Sequence, residues 1–123
     1  MSDNLYKLNI DAATRYNYAD EVRGEILIDD QNNVFVASST QSTDFPTDSM
    51  AFQPGYGGGS QDGLVFRMDN NLSNLIWASY LGGDSADASF ALAFDTLNNI
   101  FVTGGTISDS LPTTAGCLKW FRQ

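Results

Sequence analysis

The sequence predicts an all-β fold of short antiparallel strands joined by turns, and three observations indicate it. First, 13 of the 15 acidic residues are Asp and another ten residues are Asn, and both types favour turns over helix interiors. Second, apolar residues alternate with a period of two in several short runs, as in strands that bury one face. Third, a 24-residue stretch recurs at an offset of 66 positions.

The repeat relates residues 24–47 to residues 90–113, and 9 of the 24 positions are identical. Each copy has an alternating apolar run, an Asp-x-x-Asn-Asn turn and a β-branched and aromatic run, which is the pattern of a β-hairpin. The first copy therefore predicts strands at 25–29 and 33–38. In the second copy the small residues Ala91 and Ala93 would let another sheet approach closely.

Two further strands are predicted between the hairpins, at 63–68 and 75–81, with a turn-rich linker between them. The long segment 40–62 contains two prolines and a glycine run, so we predict a loop with a flexible glycine-rich insertion at 55–59. Four antiparallel strands per repeat, apolar on both faces, predict the four-stranded blades of a β-propeller.

Several runs carry a resemblance to a known family. The residues concerned are Tyr80-Leu81-Gly82-Gly83, the segment 95–104, Thr43-Asp44-Phe45-Pro46-Thr47 and the segment 58–69. Together they resemble the bacterial SBBP beta-propeller repeat. The sequence is also similar in style to large secreted Bacteroidetes-type surface proteins associated with gliding motility.

This resemblance implies that residues 1–123 are a propeller fragment with an incomplete ring. We expect the end of a preceding blade at 1–15, a full repeat at 16–81 and the first half of the next repeat at 82–123. The implied function is a non-catalytic scaffold of a secreted or cell-surface protein, whose loops serve adhesion or bind protein or glycan. The alternatives are part of a propeller-type glycan hydrolase and a purely structural spacer.

Composition argues against several other classes. A net charge of −9 disfavours nucleic acid, which requires clustered Lys and Arg. The chain has no His, the commonest general base, and the one cysteine, Cys117, cannot form an internal disulfide. No apolar run approaches the ~18 residues of a membrane span, and the start of the chain lacks a signal-peptide pattern. We therefore expect an acidic protein that is not an enzyme.

Few residues are candidates for binding. Asp84 and Asp87 lie in a Gly-Asp-rich loop and could present carboxylates to a ligand or to Ca²⁺, although a plain connecting turn explains them equally well. The turns that begin at Asp29 and Asp95 also suggest Ca²⁺, but we interpret them as hairpin turns that satisfy local amides. Tyr56, if exposed, could stack on a sugar ring. We assign no catalytic residue, cofactor or firm metal ligand.

The expected partners are the other blades of the same propeller, together with a cell-surface protein or glycan. Blade faces are apolar because neighbouring blades cover them. A chain with less than two repeats leaves such faces uncovered, so we predict that the isolated 123-residue chain either self-associates through its open blade faces and edges or is marginally folded.

Overall fold

The computed structural model describes residues 24–114 of the chain. This part contains six strands and no helix, and therefore no helix that could cross a membrane. The strands are β1 (Glu25–Ile28), β2 (Val34–Thr40), β3 (Asp62–Met68), β4 (Leu75–Leu81), β5 (Asp87–Phe94) and β6 (Ile100–Thr106). The four strands predicted between residues 25 and 81 are all present, with ends shifted by at most two residues.

The strands form two antiparallel sheets. The first is a four-stranded meander in the order β1-β2-β3-β4, and the second is the two-stranded hairpin β5-β6. The meander is one blade, and the hairpin repeats its first two strands at the offset of 66 residues. The predicted all-β fold with an incomplete propeller ring is thus confirmed, while the segment 1–15 lies outside the described residues.

Each hairpin turn is held by one aspartate. Asp29 Oδ1 accepts hydrogen bonds from the backbone N–H groups of Gln31 and Asn33, both at 2.9 Å, and Oδ2 accepts one from Asn33 Nδ2 at 3.2 Å. Asn32 supplies the left-handed residue of the turn, with φ 66°. Asp95 makes the same bonds in the second copy. The interpretation of these segments as hairpin turns is confirmed.

A third turn, between β3 and β4, repeats the arrangement in a sequence that the repeat did not single out. Asp69 Oδ1 accepts from the N–H groups of Asn71 and Ser73, and Oδ2 accepts from Asn74 Nδ2 at 2.7 Å. The left-handed position is held by Leu72, with φ 59°. Leucine costs about 1–2 kcal/mol there, because its Cβ crowds the carbonyl oxygen.

The first sheet presents two different faces. The covered face, which lies against the hairpin β5-β6, carries Leu27, Phe35, Ala37, Val65 and Trp77. The opposite face carries the alternate residues of the same strands and is exposed where β1 lies. Because side chains alternate along a strand, the sequence must be apolar at both sets of positions to build both faces.

The core lies between the covered face and the hairpin. Phe35 is 5% exposed and meets the ring of Phe94 edge-on, with the centroids 4.8 Å apart. Leu92 from the hairpin completes a buried cluster with Ala37 and Val65. This sheet-on-hairpin contact joins one repeat to the next.

The 41–61 loop, between β2 and β3, packs along the first sheet at β4. The hydroxyl of Tyr80 donates to the carbonyl of Ser42 and accepts from the N–H of Phe45 at 2.8 Å. At the outer edge of β4 the N–H of Tyr80 donates to the carbonyl of Gln53, and the N–H of Gln53 donates to Ser79 Oγ. Long-range hydrogen bonds therefore fix the course of this loop.

We predict that Phe35→Ala lowers the free energy of unfolding by about 3–5 kcal/mol, since it opens a cavity where the sheet and the hairpin meet. Urea unfolding followed by circular dichroism measures the change. Leu97→Ala, at a side chain that is 78% exposed in the β5-β6 turn, is the control and should change stability by less than about 0.5 kcal/mol. Equal effects of the two substitutions would contradict this account of the core.

Candidate functional site

The three connections that are not tight hairpin turns meet at one end of the two sheets, here called the loop end. They are the 41–61 loop, the 82–86 loop between β4 and β5, and the segment from residue 107 that follows β6. The antiparallel order places the three Asp-held turns at the other end. The candidates Tyr56 and Asp84 lie in loops at this end, and Asp87, which the sequence placed in a loop, is the first residue of β5 at the same end.

Asp87 ties the loop end together. It is 2% exposed, and its Oδ2 accepts hydrogen bonds from the N–H of Gly83 at 2.8 Å and from Ser108 Oγ at 2.9 Å. Its Oδ1 accepts from the hydroxyl of Thr106. Its backbone N–H donates to the carbonyl of Gln61, whose side-chain amide donates back to the Asp87 carbonyl. The carboxylate of Asp87 thus ties the 82–86 loop to the end of β6, and its backbone ties the hairpin to the 41–61 loop.

A second buried carboxyl, Asp62, lies beside it and was not predicted as a site residue. It is fully buried, and its Oδ2 accepts from the N–H of Gly57 at 2.6 Å and from Gln53 Nε2 at 3.4 Å. Its Oδ1 has no hydrogen-bond partner. Both carboxyls flank Gly82: a Cβ at that residue would lie 2.6 Å from Asp62 Oδ1 and 2.8 Å from Asp87 Oδ2.

Burial and the neighbouring Asp87 carboxyl together shift the pKa of Asp62. Burial raises the pKa of the Asp62 carboxyl above its ordinary value, and the negative charge of Asp87 raises it further, whereas the bonds from Gly57 and Gln53 lower it only in part. Among residues 24–114 the one cationic side chain is Arg67, which lies at the other end of β3 beside Asp29. No described cation therefore offsets the two buried carboxyls.

Tyr56 and Asp84 occupy different positions at the loop end. The Tyr56 ring is half-buried edge-on against Tyr80, with centroids 5.7 Å apart, and its hydroxyl donates to the Gly59 carbonyl. Burial, followed by the negative charge of Asp62, raises the pKa of the Tyr56 hydroxyl. Asp84 is exposed, and its N–H donates to Ser110 Oγ. The fold thus uses Tyr56 for internal packing and leaves the Asp84 carboxylate at the surface.

The glycine-rich segment 55–59 is not the flexible insertion that the sequence suggested. It packs against the 82–86 loop so closely that a Cβ at Gly59 would lie 2.5 Å from the backbone of Ser85. Gly58 and Gly59 have φ values of 132° and 72°, which other residues rarely adopt. The run of glycines is needed because two backbones meet there without side chains between them.

At the opposite end, where the three Asp-held turns lie, a polar cleft of about 240 Å³ opens between the first sheet and the hairpin. Arg67 lies along it, with its guanidinium 5.4 Å from the centre of the Phe35 ring and 4.0 Å from Asp29 Oδ2. Desolvation raises the pKa of the Asp29 carboxyl, but the hydrogen bonds from Asn33 and Gln31 and the charge of Arg67 outweigh this effect. The pKa of Asp29 therefore lies below its ordinary value. The cleft is lined by residues of the two hairpin turns together with core residues of the strands, among them Phe35 and Phe94.

At the loop end the buried carboxyls accept hydrogen bonds from neighbouring loops and strands. Within residues 24–114, no group of three or more His, Cys, Asp or Glu side chains is placed to hold a metal ion. The predicted candidates Asp84 and Asp87 lie in different environments, since the first is exposed and the second is buried. Asp62 was not predicted as a buried residue of the loop end. The sequence feature that could have indicated it is its position at the start of a strand, between a glycine-rich run and Gly63.

Comparison with known proteins gives one match. Residues 76–112, which are 37 of the 123 residues, match the family model described as "SBBP: Beta-propeller repeat". The match begins in β4, crosses the 82–86 loop and covers the hairpin β5-β6, so it spans both sheets. No curated protein and no solved structure matches the chain.

We predict that Asp62→Asn makes the chain progressively more stable than the wild type as the pH rises above about 4. A carboxyl with a raised folded-state pKa contributes its full stability below its unfolded pKa and loses it as the pH rises through the folded pKa. The neutral amide of the variant has no such loss. Urea unfolding at intervals between pH 4 and pH 8 measures the difference.

Asp84→Asn is the control, because it removes one negative charge from the same loops at an exposed position. A difference between Asp62→Asn and wild type that stays constant with pH would show that folding does not raise the pKa of the Asp62 carboxyl.

We also predict that Gly82→Ala lowers the free energy of unfolding by about 1–3 kcal/mol, because its methyl group would collide with both buried carboxyls. Gly55→Ala is the matched control, since a Cβ there meets nothing within 4 Å, and it should be neutral within about 0.5 kcal/mol. Chemical denaturation of both variants gives the comparison. If Gly82→Ala is as stable as Gly55→Ala, the loops do not approach as closely as described.

Proposed function

We propose, from the premise that the chain carries an SBBP beta-propeller repeat, that it is a non-catalytic scaffold segment of a secreted or cell-surface bacterial protein. In this proposal the sheets are the scaffold, and the loop end binds a partner in adhesion. The single observation that carries it is the 41–61 loop, which is hydrogen-bonded in place yet exposes large apolar side chains.

The exposed side chains on this loop are Met50, which is 88% exposed, and Phe52, which is 61% exposed. Phe52 also borders an apolar cleft of about 310 Å³, together with Trp77 and Leu81. A fixed backbone that presents apolar groups loses little conformational freedom when it binds, which favours affinity. Loops on a rigid scaffold are also where binding residues concentrate.

The chemistry of this surface supports a protein partner over a glycan. Met and Phe contribute apolar contact area, which protein interfaces use. The aromatic residue considered for sugar stacking, Tyr56, already packs against Tyr80. A glycan ligand remains the second outcome that the binding experiment distinguishes.

The positions of the carboxyls support a non-catalytic role. Glycan hydrolysis by paired carboxylates needs both groups to reach the sugar. Asp62 is 0% exposed and Asp87 is 2% exposed, so this close pair is covered by the loops on either side. A hydrolase would have to draw its residues from elsewhere.

We predict that the double variant Met50→Ser, Phe52→Ser reduces partner binding at least about tenfold, since it removes both exposed apolar side chains of the 41–61 loop. The labelled chain is screened against an array of purified extracellular proteins and a glycan array, and affinities of the hits are measured by biolayer interferometry. Leu97→Ser, at an exposed apolar side chain in a hairpin turn at the other end of the sheets, is the control and should bind as the wild type does.

Three results would contradict the proposal. Binding to neither array would favour the structural spacer, and binding to glycans alone would exclude a protein partner. Turnover of any oligosaccharide incubated with the chain would show an enzyme.

A further inference from the structure

Within residues 24–114 the two copies of the repeat occupy different environments, and one half of the interface has no counterpart there. Within the chain, the hairpin packs on the covered face of the first sheet through Leu92, Phe94, Ile100 and Val102. At the offset of 66 residues, the equivalents in the first sheet are Ile26, Ile28, Val34 and Val36. These four residues share the opposite face of β1 and β2.

The same position is buried in one copy and exposed in the other. Leu92 is 7% exposed, whereas its equivalent Ile26 is 64% exposed. Ile28, the equivalent of Phe94, is 60% exposed. The opposite face of β1 thus carries the apolar residues that the hairpin uses for docking, but within the described residues it has no covered face to dock on.

The reciprocal half is also exposed, on the outer face of the hairpin. Phe35 on the covered face is 5% exposed, whereas its equivalent Phe101 is 56% exposed. Next to Phe101, its cross-strand partner Ala93 is exposed and small, which leaves room for another sheet. The molecule therefore displays both complementary halves of a contact that it makes internally.

We propose that a second copy of this chain docks on the hairpin head to tail, repeating the internal sheet-on-hairpin contact. The opposite face of β1 in one copy covers the outer face of β5-β6 in the next. Ile28 of one copy then packs on Phe101 of its neighbour, as Phe94 packs on Phe35 within the chain at 4.8 Å. The occupant is a second copy because the two faces are already complementary in the repeat.

Such a contact is heterologous, since two different faces of the same molecule meet. Each added copy leaves one face of each kind free, so the assembly grows into a ring where the rotation between copies closes and into a filament where it does not. The net charge of −9 opposes the approach of copies, so association strengthens as salt screens the repulsion. The inference depends on the repeat architecture alone and is independent of the partner-binding role of the 41–61 loop.

The test uses two variants that each block one half of the contact, Ile28→Asp and Phe101→Asp. Both residues are exposed, so neither substitution disturbs the core. The control Leu97→Asp adds the same charge at a side chain that is 78% exposed and belongs to neither face. Circular dichroism first confirms that all variants fold. Size-exclusion chromatography with light scattering then follows mass against concentration at 150 mM and 500 mM NaCl.

We expect the wild type and Leu97→Asp to exceed the mass of one chain, 13.4 kDa, increasingly with concentration and salt. Each blocked variant should stay at 13.4 kDa when alone. An equimolar mixture of the two should form a complex of two chains and nothing larger. Ile28→Asp keeps an intact outer face of the hairpin, and Phe101→Asp keeps an intact β1 face, so only one contact can form. A monomeric wild type, association of either blocked variant alone, or a mixture that stays monomeric would overturn the proposal.

Discussion

The structure depends on one constraint: a sheet with apolar residues on both faces must be covered on both. In the first sheet, the hairpin β5-β6 covers one face, and the 41–61 loop packs on the other around Phe66 and Tyr80. The core lies where the hairpin covers the sheet, and the long loop covers part of the opposite face. The β1 surface is exposed because the covering does not reach it. A repeat of this kind therefore depends for part of its stability on the contact with the neighbouring repeat.

The strands and the three turns could be predicted because their causes are local. Alternating apolar residues mark each strand, and an aspartate three residues before a left-handed position marks each turn, as with Asp29 and Asn32. The 66-residue repeat then relates the two hairpins, and it gives the second sheet once the first is known. The family match over residues 76–112 falls where the motif Tyr80-Leu81-Gly82-Gly83 had indicated it.

The loop end could not be predicted in the same way, because its causes lie far apart in the sequence. Gln53 is held by Ser79 and Tyr80, which are more than 25 residues away. Little in the local sequence distinguishes Asp62 from the other aspartates, because its burial depends on the packing of the 82–86 loop. The sequence could suggest that Asp87 and its loop were special, but only the fold shows that its carboxylate accepts bonds from within the protein.

The hydrogen bond between Gln53 and the outer edge of β4 also affects how readily the protein can aggregate. An open strand edge is a template for unlimited growth of fibrils, because any extended chain can pair with it. Here the N–H of Tyr80 on that edge already has a partner in the chain's own loop. Loss of the bond from Tyr80 to Gln53 would leave this strand edge free to pair with another chain, so the loop's anchor also protects the folded protein against aggregation.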